Sequence, residues 1–241
     1  MKAICLSDVH LGYEKSESEA FRAFLNELPT LNPDYFIILG DFIELWRRDI
    51  AGPLLEYSDV LAKLKELNKQ MEVVLIAGNH DWHFMRMGRK PDMYPLPFRF
   101  KEVFTIHMDN FFYSFKHGHQ YDPICKWERP DNMLCYSPED IFRFTDLISW
   151  FLERKIWERP VFLYSSRIRD PGYIKKIPTL IELVRSRAKF DRRANEFLVH
   201  GHTHQSILDT ENMYADTGCW VDGQRNYLLI EDKEVSLLNY E

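Results

Sequence analysis

The chain has 241 residues, 45% hydrophobic and 15% aromatic, with a formal net charge of −6 and a pI of about 5.9. This supplies a substantial core, excludes global disorder and argues against a general duplex-DNA binder. Apolar runs fall short of a membrane span, and Cys5, Cys125, Cys135 and Cys219 are scattered with no CxxC pair and no secretory leader. They predict reduced thiols in a cytoplasmic protein, at most peripheral to the inner face of the membrane.

In chain order, residues 2–7 read as a buried strand ending at Asp8-Val9-His10. Ala20, Phe21, Phe24, Leu25 and Leu28 recur at helical spacing, and Pro29 ends that helix. Tyr35 to Leu39 is a second buried strand, closed by Gly40-Asp41; Val60, Leu61, Leu64 and Leu67 mark a second helix. A third strand, 73–77, ends in Gly78-Asn79-His80-Asp81. Alternating strands and helices predict an α/β fold with parallel central strands.

Residues 82–102 predict a loop or short helix over the sheet, and 103–107 and 111–116 predict two strands joined at Asp109-Asn110. From Asp122 to Glu196 a helical insertion is expected. Ser137-Pro138-Glu139-Asp140 is a helix start, followed by an aromatic helix over 142–157, an apolar piece over 161–164 and a helix from Ile177. Without a Gly/Ser-rich linker, the insertion (122–196) belongs to the same domain as a core formed by 1–121 and 197–241. Strands at 196–200, 206–209, 213–217, 226–231 and 234–239 complete the expectation.

Asp8, His10, Asp41, Asn79, His117, His202 and His204 all fall where predicted strands end. So many polar groups at one sheet edge are costly to bury unless they bind something. Their number and type suit two divalent metals, and mixed imidazole and carboxylate donors favour Mn, Fe, Co or Zn over Ca or Mg.

Together, Asp8-x-His10, Gly40-Asp41, Gly78-Asn79-His80-Asp81, His117 and Gly201-His202-Thr203-His204 resemble the full signature of the calcineurin-like metallophosphoesterases. The resemblance implies an α/β/β/α sandwich of two mixed sheets with a helical cap insertion, and two divalent ions with Mn first among Mn, Fe, Zn and Co. It implies Asp8, His10, Asp41 and His204 at the first metal, and Asn79, His117, His202 and the bridging Asp41 at the second. It makes His80 the residue that stabilises phosphate charge or protonates the leaving oxygen. Asp81 either tunes His80 or orders the turn, and Asp216 is expected to hydrogen-bond a ligand histidine. His83, His107, His119 and His200 read as structural or outer residues. His119 is the best of them for substrate contact, and Glu44 and Trp46 fit substrate contact or packing equally.

In layout the chain is similar to UDP-2,3-diacylglucosamine pyrophosphatases, whose insertion caps acyl chains. Two residues depart from that group: His80 replaces an arginine, and His119 replaces an aspartate. The implied activity is hydrolysis of a phosphodiester or pyrophosphate bond in a small or lipid-linked nucleotide. The alternatives are a nuclease or cyclic-nucleotide phosphodiesterase, and then a non-catalytic scaffold. Between Tyr164 and Asn195, nine Lys/Arg face three Asp/Glu. Arg185 and Arg192 are the candidates there for anion contact, against the alternative of a solvated helix face.

Overall fold

The apolar runs predicted as strands alternate in the direction their side chains take. In β1 (Lys2–Leu6), Ala3 and Cys5 enter one hydrophobic core while Ile4 and Leu6 enter another. The same split occurs in β2 (Tyr35–Leu39) and β3 (Glu72–Ile76). Strands buried on both faces read as continuous hydrophobic runs, which is why they were legible. In this computed structural model the described residues are 1–45, 51–82, 84–85, 100–108, 110–122 and 178–241.

Two mixed sheets form. The first has the order β11-β10-β1-β2-β3-β4, where β4 is Phe100–Lys101, β10 is Asn226–Glu231 and β11 is Glu234–Asn239. Its members β1 to β4 are parallel, as the alternation of elements predicts, and β10 and β11 are antiparallel. The second has the order β5-β6-β7-β9-β8, with β5 at Val103–Met108, β6 at Phe111–Lys116, β7 at Glu196–His200, β8 at Ile207–Asp209 and β9 at Tyr214–Asp216. Within it β6, β7 and β9 are parallel.

Ile37, Leu39, Val74 and Ile76 from the first sheet meet Tyr113, Phe115, Phe197 and Val199 from the second. Helices α1 (Ser18–Glu27) and α3 (Ser58–Leu67) cover the outer face of the first sheet through Phe21, Phe24, Leu25, Val60, Leu64 and Leu67, with Trp220. A short helix absent from the expectation, α2 (Ala51–Glu56), precedes α3.

Helix α4 (Pro178–Asp191) falls inside the range expected to form the insertion, 122–196, and corrects it. Its Leu180, Ile181, Val184 and Ala188 pack on Leu198 of β7 and Tyr214 of β9. It is a layer of the sandwich, because its apolar stripe has a sheet face to cover. The expected aromatic helix 142–157 and the 161–164 piece lie outside the described residues, as do His83 and Trp46.

Candidate metal centre

β1, β2, β3, β6 and β7 point their carboxyl ends toward one edge, where the two sheets meet. Backbone bonds lock the loops there: Asp8 N–H to Gly40 O at 3.1 Å, His10 N–H to Asp41 O at 2.8 Å, and Gly201 N–H to His117 O at 2.8 Å. Five of the seven expected ligand residues leave their strands in the left-handed region: Asp8, His10, Asp41, His202 and His204, with φ of 56°, 49°, 50°, 71° and 57°. Non-glycine residues held there cost on the order of 1–3 kcal/mol each and persist where surrounding structure over-determines them. These turns aim polar side chains at the sheet edge instead of continuing the ladder.

Two glycines let the loops approach. A Cβ on Gly78 would fall on the Asp41 carboxylate, and one on Gly40 would lie 2.5 Å from His117 Nδ1.

All seven side chains come together, and all are buried: Asp8, His10 and His117 are fully enclosed, and Asn79 is the most open at 5%. His204 Nε2 lies 3.1 Å from Asp8 Oδ1 and 3.3 Å from His10 Nε2. His117 Nε2 lies 3.2 Å from Asn79 Oδ1 and 3.4 Å from Asp41 Oδ2. Asp8–His10–His204 and Asp41–His117–His202 each group their ligand atoms tightly enough for one cation, and Asp41 also groups with His10 and His80.

The donor set fits a cation on its own chemistry. His117 Nδ1 donates to Leu39 O at 2.6 Å, so Nε2 is the ring atom that faces the two acceptor oxygens. A ring nitrogen and two oxygens converging in a buried space need a positive centre among them, a proton on the ring in the metal-free protein and a cation in its place when metal is bound. Asp8 Oδ1 is buried and accepts no hydrogen bond, which makes the same demand at the other cluster.

Surrounding groups hold the rings. Glu44, fully buried, reaches His10 Nδ1 at 3.2 Å and His80 Nδ1 at 2.9 Å. Asp122 Oδ2 lies 3.0 Å from His202 Nε2, leaving Nδ1 as the atom that His202 can offer. Burial opposes charge on His10, but the carboxylates of Asp8, Glu44 and Asp41 outweigh it and raise this ring to about 10. For His117, burial is likewise outweighed by Asp41 and Asp8, which raise it to about 9. Asp8 is held well below the carboxylate range: burial pushes it up, and His204 and His117 more than reverse that.

The model of the calcineurin-like phosphoesterases matches residues 1–206, a span that holds all five sequence blocks. The chain belongs to this family. Among solved structures, it is similar to Yfce, a phosphoesterase from E. coli, at 15% identity and TM-score 0.49 with 100% of each chain covered. It is also similar to a dimetal phosphatase from Danio rerio, at 12% identity and TM-score 0.48, covering 100% of this chain and 99% of that one. A curated relative, the DNA polymerase II small subunit of Halobacterium salinarum, is 32% identical over 92 residues. That match covers 34% of this chain and spans 18% of the relative's length.

This member of the calcineurin-like phosphoesterases gathers groups of His and Asp residues that could hold a divalent metal ion. Among its described residues, no helix is long and apolar enough to cross a membrane. His80 joins the ligand cluster, with Nε2 3.9 Å from Asp41 Oδ2. Asp81 orders the turn: its carboxylate accepts Gly78 N–H and Phe42 N–H, both at 2.7 Å, while Glu44 is the carboxylate on the His80 ring. Burial, then the charge of Asp41, raises Asp81 to about 7.

Asp216 corrects its expectation. It accepts the Thr203 hydroxyl between His202 and His204, and Gly218 N–H, in place of a ligand imidazole. Arg192 is a second correction. Its guanidinium donates to Arg193 O and Glu196 O at the start of β7, the opposite end of that strand from the centre. Arg185 donates to Gln205 O, the residue after His204. Lys189 pairs with Asp209, so part of the basic stretch serves the fold. His107 lies exposed on β5, and His200 bonds Gly201 O and Tyr214 OH. Sequence reasoning missed the role of Asp122 altogether and left Glu44 open. Glu44 stands three residues after Asp41, the only local signal for it.

Proposed function

We propose that this phosphoesterase is a two-metal phosphohydrolase acting on a phosphodiester or pyrophosphate bond. Asp8, His10, Asp41 and His204 hold the first ion, and Asn79, His117, His202 and Asp41 hold the second. The observation that carries this reading is the buried convergence of His117 Nε2 on Asn79 Oδ1 and Asp41 Oδ2, at 3.2 and 3.4 Å. Imidazole with carboxylate supports Mn(II) as the working metal, with Fe, Zn and Co as alternatives. Two such ions supply an activated water and a clamp on phosphoryl oxygens.

The chain's own residues do the rest. Burial of all seven ligand side chains excludes bulk water and strengthens every charge interaction inside. Glu44 holds His80 through Nδ1, so a proton at Nε2 creates an imidazolium whose charge Glu44 offsets. From that atom a proton can pass to the leaving oxygen.

A UDP-2,3-diacylglucosamine-like nucleotide is one substrate of the class this reading covers. A nuclease or cyclic-nucleotide phosphodiesterase is the alternative reading. The test is Mn(II)-dependent hydrolysis of bis(p-nitrophenyl) phosphate, phosphomonoesters, nucleoside diphosphate sugars and single-stranded DNA. Asn79→Ala and His117→Ala should abolish turnover. Full activity after the metal is stripped would sink the reading.

A further inference from the structure

The metals account for the unpaired oxygen of Asp8. They cannot account for an unpaired N–H, which needs an acceptor. His119 sits beside the second-metal cluster, its ring 5.4 Å from that of His117 and 6.5 Å from that of His202. It is 6% exposed, and its Nδ1 is sealed from solvent with no hydrogen-bond partner among the described residues. Its Nε2 has no hydrogen bond there either and is not sealed. Trp82 meets the ring edge to face at 5.5 Å and 73°, which fixes the plane in which it lies.

The location of the hydrogen follows from these facts. A proton on the sealed Nδ1 would be a buried donor with no acceptor, an arrangement folded proteins avoid. With the proton on Nε2, the sealed atom is only a lone pair. In the protonated ring Nε2 carries a hydrogen as well. In both forms His119 presents Nε2–H on the side of the ring that is not sealed.

We infer that His119 is a substrate-contacting residue of this centre, donating Nε2–H to a phosphoryl oxygen that flanks the scissile phosphate on the second-metal side. A phosphoryl group is an acceptor only, and so is matched by an isolated donor. A sugar hydroxyl would bring a hydrogen of its own needing a further acceptor. The favoured substrate thus carries a second phosphoryl group, and the residue biases the enzyme toward diphosphates over simple phosphodiesters. This inference rests on the phosphohydrolase reading above.

Two variants of similar bulk separate the donor from the volume: His119→Gln keeps an N–H, and His119→Leu removes it. Both are assayed with Mn(II) on a nucleoside diphosphate sugar and on bis(p-nitrophenyl) phosphate, with metal content and melting temperature measured alongside. For His119→Leu, KM for the diphosphate should rise about tenfold, more than kcat falls and more than KM for the diester rises. Inorganic pyrophosphate should lose affinity as a competitive inhibitor by a similar factor. His119→Gln should recover part of both effects. Equal behaviour of the two variants, or an unchanged diphosphate KM in His119→Leu, overturns the inference. Wild-type enzyme that hydrolyses neither substrate overturns the phosphohydrolase reading itself.

Discussion

Asp122 meets His202 through Oδ2 and Nε2 at 3.0 Å, with both side chains buried. The contact selects which nitrogen of His202 faces the centre and holds the ring plane. Carboxylate partners of this kind raise the basicity of a ligating imidazole, and their removal lowers metal affinity about 10–100-fold. Asp122→Ala should therefore weaken binding of one of two Mn(II) ions by that factor. Calorimetric titration of metal-free protein should resolve one weakened and one preserved binding event.

Glu44 and His80 form a second such pair, at 2.9 Å. His80→Ala should lower kcat by about 10²–10⁴-fold, the range general acid catalysis contributes. The loss should be smaller for p-nitrophenolate, which leaves without protonation, than for an alkyl leaving group. Metal content measured on the same samples should stay at the wild-type level. Equal losses on both leaving groups would remove His80 from the proton-transfer role.

Gly78 is where a single methyl does the most damage. Its Cβ would fall on the Asp41 carboxylate and crowd the Asp41 backbone nitrogen, neither of which can move without shifting the centre. Gly78→Ala should cost about 3 kcal/mol or more, in the class of substitutions that strain a packed site. At this chain length that corresponds to a melting temperature lower by roughly 6–12 °C. Metal binding should be lost in parallel.

His10 and His117, raised to about 10 and about 9, are protonated at neutral pH in the metal-free protein. A raised folded-state pKa stabilises the fold fully below the unfolded value of about 6.5, and that contribution disappears as pH rises through the folded values. Metal-free protein should thus lose melting temperature between about pH 7 and pH 10. Each metal must displace a proton, so loading at pH 7 should release about two protons. Titrations in buffers of different ionisation enthalpy count them directly, and the alkaline loss of stability should shrink once Mn(II) is bound.

The strand-end blocks were legible because each is local. A run buried on both faces, such as Phe36 to Leu39, gives way within two residues to glycine and a polar side chain, and no distant contact is needed to see it. Parallel β1, β2 and β3 follow from the helices between them, and parallel strands put their carboxyl ends on one edge. The seven polar groups were therefore gathered in expectation before any distance was known.

Only the tertiary structure decided the partners. His10 and His204 are 194 residues apart, and Asp122 and His202 are 80 apart. Such pairs depend on the register of two sheets and the packing between them, which no local pattern encodes. The same holds for Arg192, basic in sequence like Arg185 yet carried by α4 to the far end of β7. It holds also for α4 itself, whose apolar stripe suits a cap as well as a layer until Leu198 and Tyr214 are seen beneath it. Local patterning thus determined where the chain stops being core and starts being chemistry. Long-range packing decided which groups orient the ligands, because orientation belongs to pairs of residues and not to single stretches.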